Sequence, residues 1–345
     1  LYKRIEALYA DEMSDEQLRE KFNLDKWDIK KARIKLRNLE DWKAPFSKCL
    51  YRPFDRRDCY FSDAVMDRPR RELINHVAGK DNLVLNLPRI VKLEEWQHAL
   101  ISNLPCVAVS VDVNGSYAFP LYLYPTKKEA TLFDLEETPN TPGDRRPNLS
   151  DEFISDFAIK LGINFIPDGK GDRVKTFAPE DVFAYMYAIF HSPTYRQRYA
   201  EFLKTDFPRL PLTSKPELFK QLCDLGERLI ELHLMQKHGE DITTYPIEGE
   251  NIVDKVSYSE PKQDELGKVW INKTQYFEGV PQQVWDFYIG GYQVCDKWLK
   301  DRKGRTLRYE DLMHYKNIVS AISETINLIE NIDQTINKFG GFPIM

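Results

Sequence analysis

The chain has 345 residues, 42% hydrophobic and 30% charged, with 49 Lys and Arg against 54 Asp and Glu and a net charge of −5. That length carries a large core and two or three subdomains. The mild acidity excludes a body drawn as a whole to nucleic acid or anionic membrane, so any such attraction must come from local patches.

No run approaches the roughly 20 apolar residues that a membrane span needs. The charged start, LYKRIEALYADEMSDEQ, lacks an apolar signal core and points to a cytoplasmic protein. It also lacks an initiator Met, so the chain reads as a fragment or a processed product. Cys49, Cys59, Cys106, Cys223 and Cys295 are scattered without a CxxC pair, which predicts reduced thiols and no zinc site. His233 and His238 lie at the wrong spacing to share one helical face as metal ligands.

In chain order, residues 1–44 read as a charged helical connector. Residues 45–150 carry extended signals: CLYRPF, CYFS, NLVLNL, CVAVSVDV and SYAFPLYLY, then a Pro- and Thr-rich surface loop over 125–150. A helical part spans 151–240. PEDVFAYMYAIFHS (179–192) opens on Pro and two acids and stops at Pro193, where a further helix, TYRQRYAEFLKTDF, begins. Leu218, Leu222, Leu225, Leu229 and Leu232 form a helical stripe. Residues 241–345 mix strand-like VSYSE, KVWINKTQYFEG and VWDFYIGGYQV with a long last helix, about 308–338. Its Leu312, Tyr315, Val319, Ile322, Ile326 and Ile329 suit core packing better than a free coiled coil. The class is α+β, without internal repeats.

Catalytic signatures are missing. DGKGD at 168–172 reads as a turn rather than a phosphate loop, and neither GxSxG nor HExxH occurs. No Pro-Pro dipeptide exists to orient a target amine, and no Gly-rich loop to hold a methyl donor. Asp254, Glu260 and Lys262 match a metal-nuclease pattern, but Pro261 would break the strand that presents such a set.

Three basic, aromatic segments remain. In YRPFDRRDCYFSDAVMDRPRRE (51–72), Arg52, Arg56, Arg57, Arg68, Arg70 and Arg71 offer planar forks suited to phosphates or guanine edges. Asp55, Asp58, Asp63 and Asp67 could instead neutralise four of them. In HSPTYRQRYAEFLKTDFPRLPL (191–212), Ser192 caps a helix whose aromatics face the core, leaving Arg196 free to point elsewhere. In VWDFYIGGYQVCDKWLKDRKGR (284–305), Gly290 and Gly291 permit a bulge or close backbone approach. Lys297, Lys300, Arg302, Lys303 and Arg305 then crowd a helix end that Gly304 can close. A helix dipole alone favours cations there. Six Lys and Arg against one acid between 297 and 308 exceed that need and suggest anion binding.

Together and in this order, YRPFDRR…RPRRE, YMYAIFHSPTYRQRYAEFLKTDFPRLPL, LGERLIELHL and VWDFYIGGYQVCDKWLKDRKGR resemble the C-terminal target-recognition region of Type ISP restriction–modification enzymes, over about residues 45–335. The resemblance implies a β-rich N-terminal recognition part packed with a helical subdomain and a long C-terminal helix. It implies sequence-specific binding of double-stranded DNA, without catalysis by this fragment, on behalf of a methyltransferase part in the same or a partner chain. S-adenosylmethionine, ATP and Mg are then expected for the parent enzyme and no cofactor here, and the 1–44 connector would leave the methyltransferase. Two other readings stand beside it: a subunit of a split adenine-specific methyltransferase, and a non-catalytic interaction scaffold using the long last helix.

Overall fold

The computed structural model describes residues 1–10, 12–66, 70–125, 145–261 and 266–344. Three short helices lead, α1 (Tyr2–Ala10), α2 (Asp15–Phe22) and α3 (Ile29–Arg37). Ser14 and Gln17 cap α2 reciprocally, side chain to backbone in both directions. Ile5, Leu8, Leu18, Ile29 and Leu36 close a small core that takes in Tyr60 and Ala64. The charged N-terminal stretch is therefore a packed helical unit.

The hairpin β1 (Phe46–Arg52) and β2 (Asp55–Tyr60) follows, then α4 (Arg71–Val77). A sheet of order β4-β3-β5 comes next, from β3 (Val84–Leu87), β4 (Leu100–Ser102) and β5 (Tyr117–Pro120). β6 (Tyr122–Leu123) pairs with β7 (Arg146–Pro147). Two expectations fail here. Cys49 and Cys59 form a disulfide rather than remaining thiols, because antiparallel pairing sets them diagonally with Cα atoms 6.0 Å apart. CVAVSVDV is not a strand: its Val109 carbonyl accepts from Arg52 and Tyr292, and its Val111 carbonyl from Gly291. With those groups satisfied by side chains and a turn, no sheet ladder is needed. The expected 125–150 loop lies mostly at 126–144, outside the described residues.

α5 (Asp151–Leu161) precedes the parallel pair β8 (Asn164–Phe165) and β9 (Thr176–Phe177). α6 (Pro179–His191) starts on its proline and ends before Pro193. The next helix is broken into α7 (Pro193–Arg198) and α8 (Ala200–Leu203), shorter than its sequence suggests. α9 (Pro216–His233) buries Leu218, Leu222, Leu229 and Leu232 against α6. The two helices meet at Gly226, where a Cβ would run into the Ala184 carbonyl oxygen.

The remaining chain forms a three-stranded sheet, β10 (Ser257–Ser259), β11 (Lys268–Trp270) and β12 (Tyr276–Glu278), and then α10 (Gln282–Trp285). VWDFYIGGYQV is thus no continuous strand. After α10 it turns back on itself as β13 (Tyr288–Ile289) and β14 (Tyr292–Gln293), because Gly290 takes φ +58°. α11 (Val294–Lys300) and α12 (Tyr309–Lys338) complete the α+β fold. Tyr315, Ile318, Val319, Ile322, Leu328 and Ile332 of α12 lie in the main core. Among the described residues no helix is long and apolar enough to cross a membrane.

Candidate nucleic-acid interface

Two of the three basic segments meet in space. The β1–β2 turn is set by Pro53 and by Phe54 at φ +59°, whose carbonyl accepts from His314 Nε2 at 2.8 Å. Asp55 follows, 1% exposed, and carries two guanidinium groups. Arg57 donates to its Oδ2 through Nε at 3.1 Å and Nη2 at 2.8 Å. Arg302, from the turn after α11, donates to Oδ1 at 2.9 Å. Asp301 stands 3.8 Å from Arg57 and binds Lys297 at 2.6 Å.

Aromatic rings support these cations. Arg52 lies between Tyr51 and Tyr292, at 4.3 and 4.6 Å from their centroids, and donates to the Val109 carbonyl at 2.7 Å. Arg57 covers Tyr51 at 3.6 Å. Arg302 covers Trp298 at 3.4 Å and donates to the Trp298 carbonyl at 2.9 Å. Each such contact contributes about 0.5–2 kcal/mol and limits where a guanidinium can go. Tyr292 is presented by the β13–β14 turn, which docks closely: Gly290 donates to Gln97 and Gly291 to Val111, and a Cβ on Gly290 would strike the Val111 carbonyl. The close approach expected of this glycine pair is present. The buried pair His98–Asp112, 3.2 Å apart, braces the loop that receives it.

The basic stripe divides. Lys297 and Lys300 pair within α11 with Asp301 and Asp296. Arg302 is committed to Asp55 and Trp298. Lys303, Arg305 and Arg308 are exposed and carry no ion pair among the described residues. Gly304, at φ +77°, donates to the Val253 carbonyl at 2.7 Å and holds this turn against the body.

The other nominated arginines are dispersed. Arg56 reaches the Leu234 carbonyl at 2.5 Å, and burial pulls its pKa down. Arg71 pairs with Asp63. Arg70 is exposed at the start of α4 without an ion pair, and Arg68 lies outside the described residues. Of the aspartates expected to neutralise this segment, Asp58 pairs with Lys48 instead. Asp67 too lies outside the described residues. Arg196 does not point away from the core. Its Nε donates to the Phe190 carbonyl at 2.8 Å, answering an otherwise unpaired carbonyl at the end of α6. Desolvation lowers the Arg196 pKa to about 10.

The sequence offered Asp55 as a neutralising partner for these arginines, which it is, but gave no notice of Tyr51 and Tyr292 as parts of this surface. The tripeptide Tyr51–Arg52–Pro53, with Asp55 and Arg57 two apart on one strand face, was the available signal.

The 168–172 turn has no phosphate cradle. Gly169, Gly171 and Asp172 donate their amides to Tyr122, Asp181 and Thr176. Among the described residues no group of His, Cys, Asp or Glu is arranged to hold a metal ion, and Lys262 of the nuclease-like set lies outside them.

Residues 1–331 match a family model described as Type ISP C-terminal specificity domain. No curated protein sequence matches the chain. Among solved structures, the ATP-dependent Type ISP restriction-modification enzyme LlaBIII bound to DNA is similar at TM-score 0.60 and 20% identity, covering 87% of this chain and 19% of that one. A nuclease-deletion mutant of the Type ISP enzyme LlaGI, in complex with a DNA substrate mimic, gives TM-score 0.60 and 17% identity over 96% and 29% of the two chains. The DrdV–DNA complex gives 0.64 and 18% over 97% and 32%. The chain therefore spans under a third of the length of these proteins.

Proposed function

Because this chain belongs to the Type ISP C-terminal specificity domain family, we propose that it recognises a short double-stranded DNA sequence for a cytoplasmic restriction–modification enzyme. It performs no catalysis by itself. The similar solved structures are enzymes in complex with DNA, which supports a duplex as the partner. The observation that carries the reading is the junction at Asp55, which joins two arginine-bearing segments into one stiff surface beside Lys303 and Arg305, exposed and without an ion pair among the described residues.

On that surface we assign two kinds of work. Lys303, Arg305 and Arg308 take phosphates and fix register, while hydrogen-bond donors at the groove edges read bases. Arg52, Arg302 and Arg196, each tied to carbonyls, rings or Asp55, act as struts. Lys297 and Lys300, half neutralised by their own helix, contribute weakly. S-adenosylmethionine, ATP and Mg belong to other parts of the parent enzyme, including the methyltransferase that this domain positions. A scaffold role resting on α12 loses its surface, since the apolar side of that helix is core.

The test is duplex binding across a salt series. Affinity should fall linearly with log salt, with a slope set by the number of phosphates engaged, and competition should separate a preferred sequence from bulk DNA. Binding that ignores both salt and sequence overturns the reading.

A further inference from the structure

Arg57 differs from every other guanidinium at the junction. Arg302 is 12% exposed with both Nη atoms engaged, and Arg52 spends Nη1 on two carbonyls. Arg57 remains 33% exposed. Asp55 Oδ2 occupies only its Nε–Nη2 edge, and Tyr51 covers one face of the plane. Beyond Asp55, the Nη1–Nη2 end of the fork makes no hydrogen bond among the described residues, and Asp301 stands 3.8 Å from Nη2. The group is held in place, yet Nη1 and the second hydrogen of Nη2 stay available as donors.

The charge around it suggests what those donors take. Arg57 is paired with Asp55 and faces Asp301 at 3.8 Å, so its attraction for a phosphate anion is largely offset. Its donors are not. A neutral pair of adjacent acceptors is the better match, and the major-groove edge of guanine presents O6 and N7 at the spacing of such a fork. We propose that Arg57 is a specificity-determining residue that reads a guanine, and that Asp55 and Tyr51 are positioning residues that aim it. This rests on the duplex recognition proposed above and adds which side chain reads which chemistry.

Selection of sites from a randomised duplex pool by the full polypeptide tests it, comparing wild type with Arg57→Ala, Arg57→Lys and Asp55→Asn. Arg57→Ala should become indifferent at one G·C pair while keeping the rest of the site. It should bind the wild-type site roughly 10- to 100-fold more weakly, with unrelated DNA little affected and the salt slope unchanged. Arg57→Lys keeps the charge and the partner Asp55 but lacks the fork, so it should not restore the lost preference. It also supplies the answer where the alanine variant folds poorly. Asp55→Asn should weaken preference most at that same pair and, because it also loosens Arg302, lower the melting temperature. Equal weakening on all sequences with a slope reduced by about one would make Arg57 a phosphate contact and overturn the proposal. A lower melting temperature with an unaltered selected site would make it a strut, with the same consequence. If wild type selects no site at all, the recognition reading falls as well; if it does and Arg57 variants select the same one, only this inference falls.

Discussion

Asp55 and Arg302 stand 247 positions apart in the chain and 2.9 Å apart in space. The carboxylate is 1% exposed and the guanidinium 12%, so this ion pair is a buried bolt between the β1–β2 turn and the end of α11. Removing one partner of such a pair strands the other in a poorly solvated place. Arg302→Ala should lower unfolding free energy by about 3 kcal/mol, softened to the extent that Arg57 still holds Asp55. Urea denaturation reads this directly. Unchanged stability with a flatter salt dependence of DNA binding would instead make Arg302 a phosphate ligand.

Lys303 and Arg305 should behave in the opposite way. Both are exposed and free of ion pairs among the described residues, so their removal disturbs little of the fold. The double variant Lys303→Ala/Arg305→Ala should stay within about 0.5 kcal/mol of wild-type stability. Its plot of log affinity against log salt should lose about two units of slope, one for each phosphate contact. An unaltered slope would reduce these cations to helix-end decoration.

Arg70 offers a second candidate reader, at the start of α4 and without an ion pair to Glu72 or any other described acid. Arg70→Ala in the parent enzyme should cost about 1–3 kcal/mol on the preferred site and less on other DNA. Arg70→Lys should recover little of this. Affinity on both kinds of DNA, measured with thermal stability, decides between base reading and a structural part.

Two glycines at positive φ should respond differently to alanine. Gly304 has open space where a Cβ would go, so Gly304→Ala costs only the backbone term, about 1–2 kcal/mol. Gly290→Ala adds a collision with the Val111 carbonyl and should cost clearly more, while loosening the turn that presents Tyr292. Paired melting curves check the ordering; equal losses would mean the β13–β14 turn is not tightly docked.

Buried histidines predict an acid-sensitive fold. Desolvation lowers His98 to about 4 and His233 to about 3, with Asp112 partly opposing the shift at His98. Both stay neutral in the folded protein where an unfolded chain, with a histidine pKa near 6.5, would already take up protons. Their contribution is therefore fully present above about pH 6.5 and lost as pH falls towards the folded values. At pH 5.5 each should cost about 1.4 kcal/mol relative to pH 7.5. Denaturant midpoints at the two pH values test this, and a His98→Gln variant should show a smaller loss than wild type.

Much of the candidate surface was legible as sequence, but not its wiring. The chain by itself determined whatever depends on near neighbours. Pro179 and its acids start α6, the leucine stripe of α9 and the apolar repeat of α12 become core, and Gly290 marks a backbone approach no side chain tolerates. These follow from helical periodicity and allowed φ, which are local properties. The same reasoning picked out segments 51–57 and 297–305 as basic and aromatic. Tertiary structure alone decided which cations remain available. Lys303 and Arg302 are adjacent and chemically alike, yet one is exposed and the other locked onto Asp55. Charge within a segment cannot foretell this, because a carboxylate neutralises whichever guanidinium packing brings within about 3 Å, not the one nearest in sequence. The alternating CVAVSVDV failed as a strand for a related reason: its carbonyls found Arg52, Tyr292 and Gly291, partners supplied by distant chain.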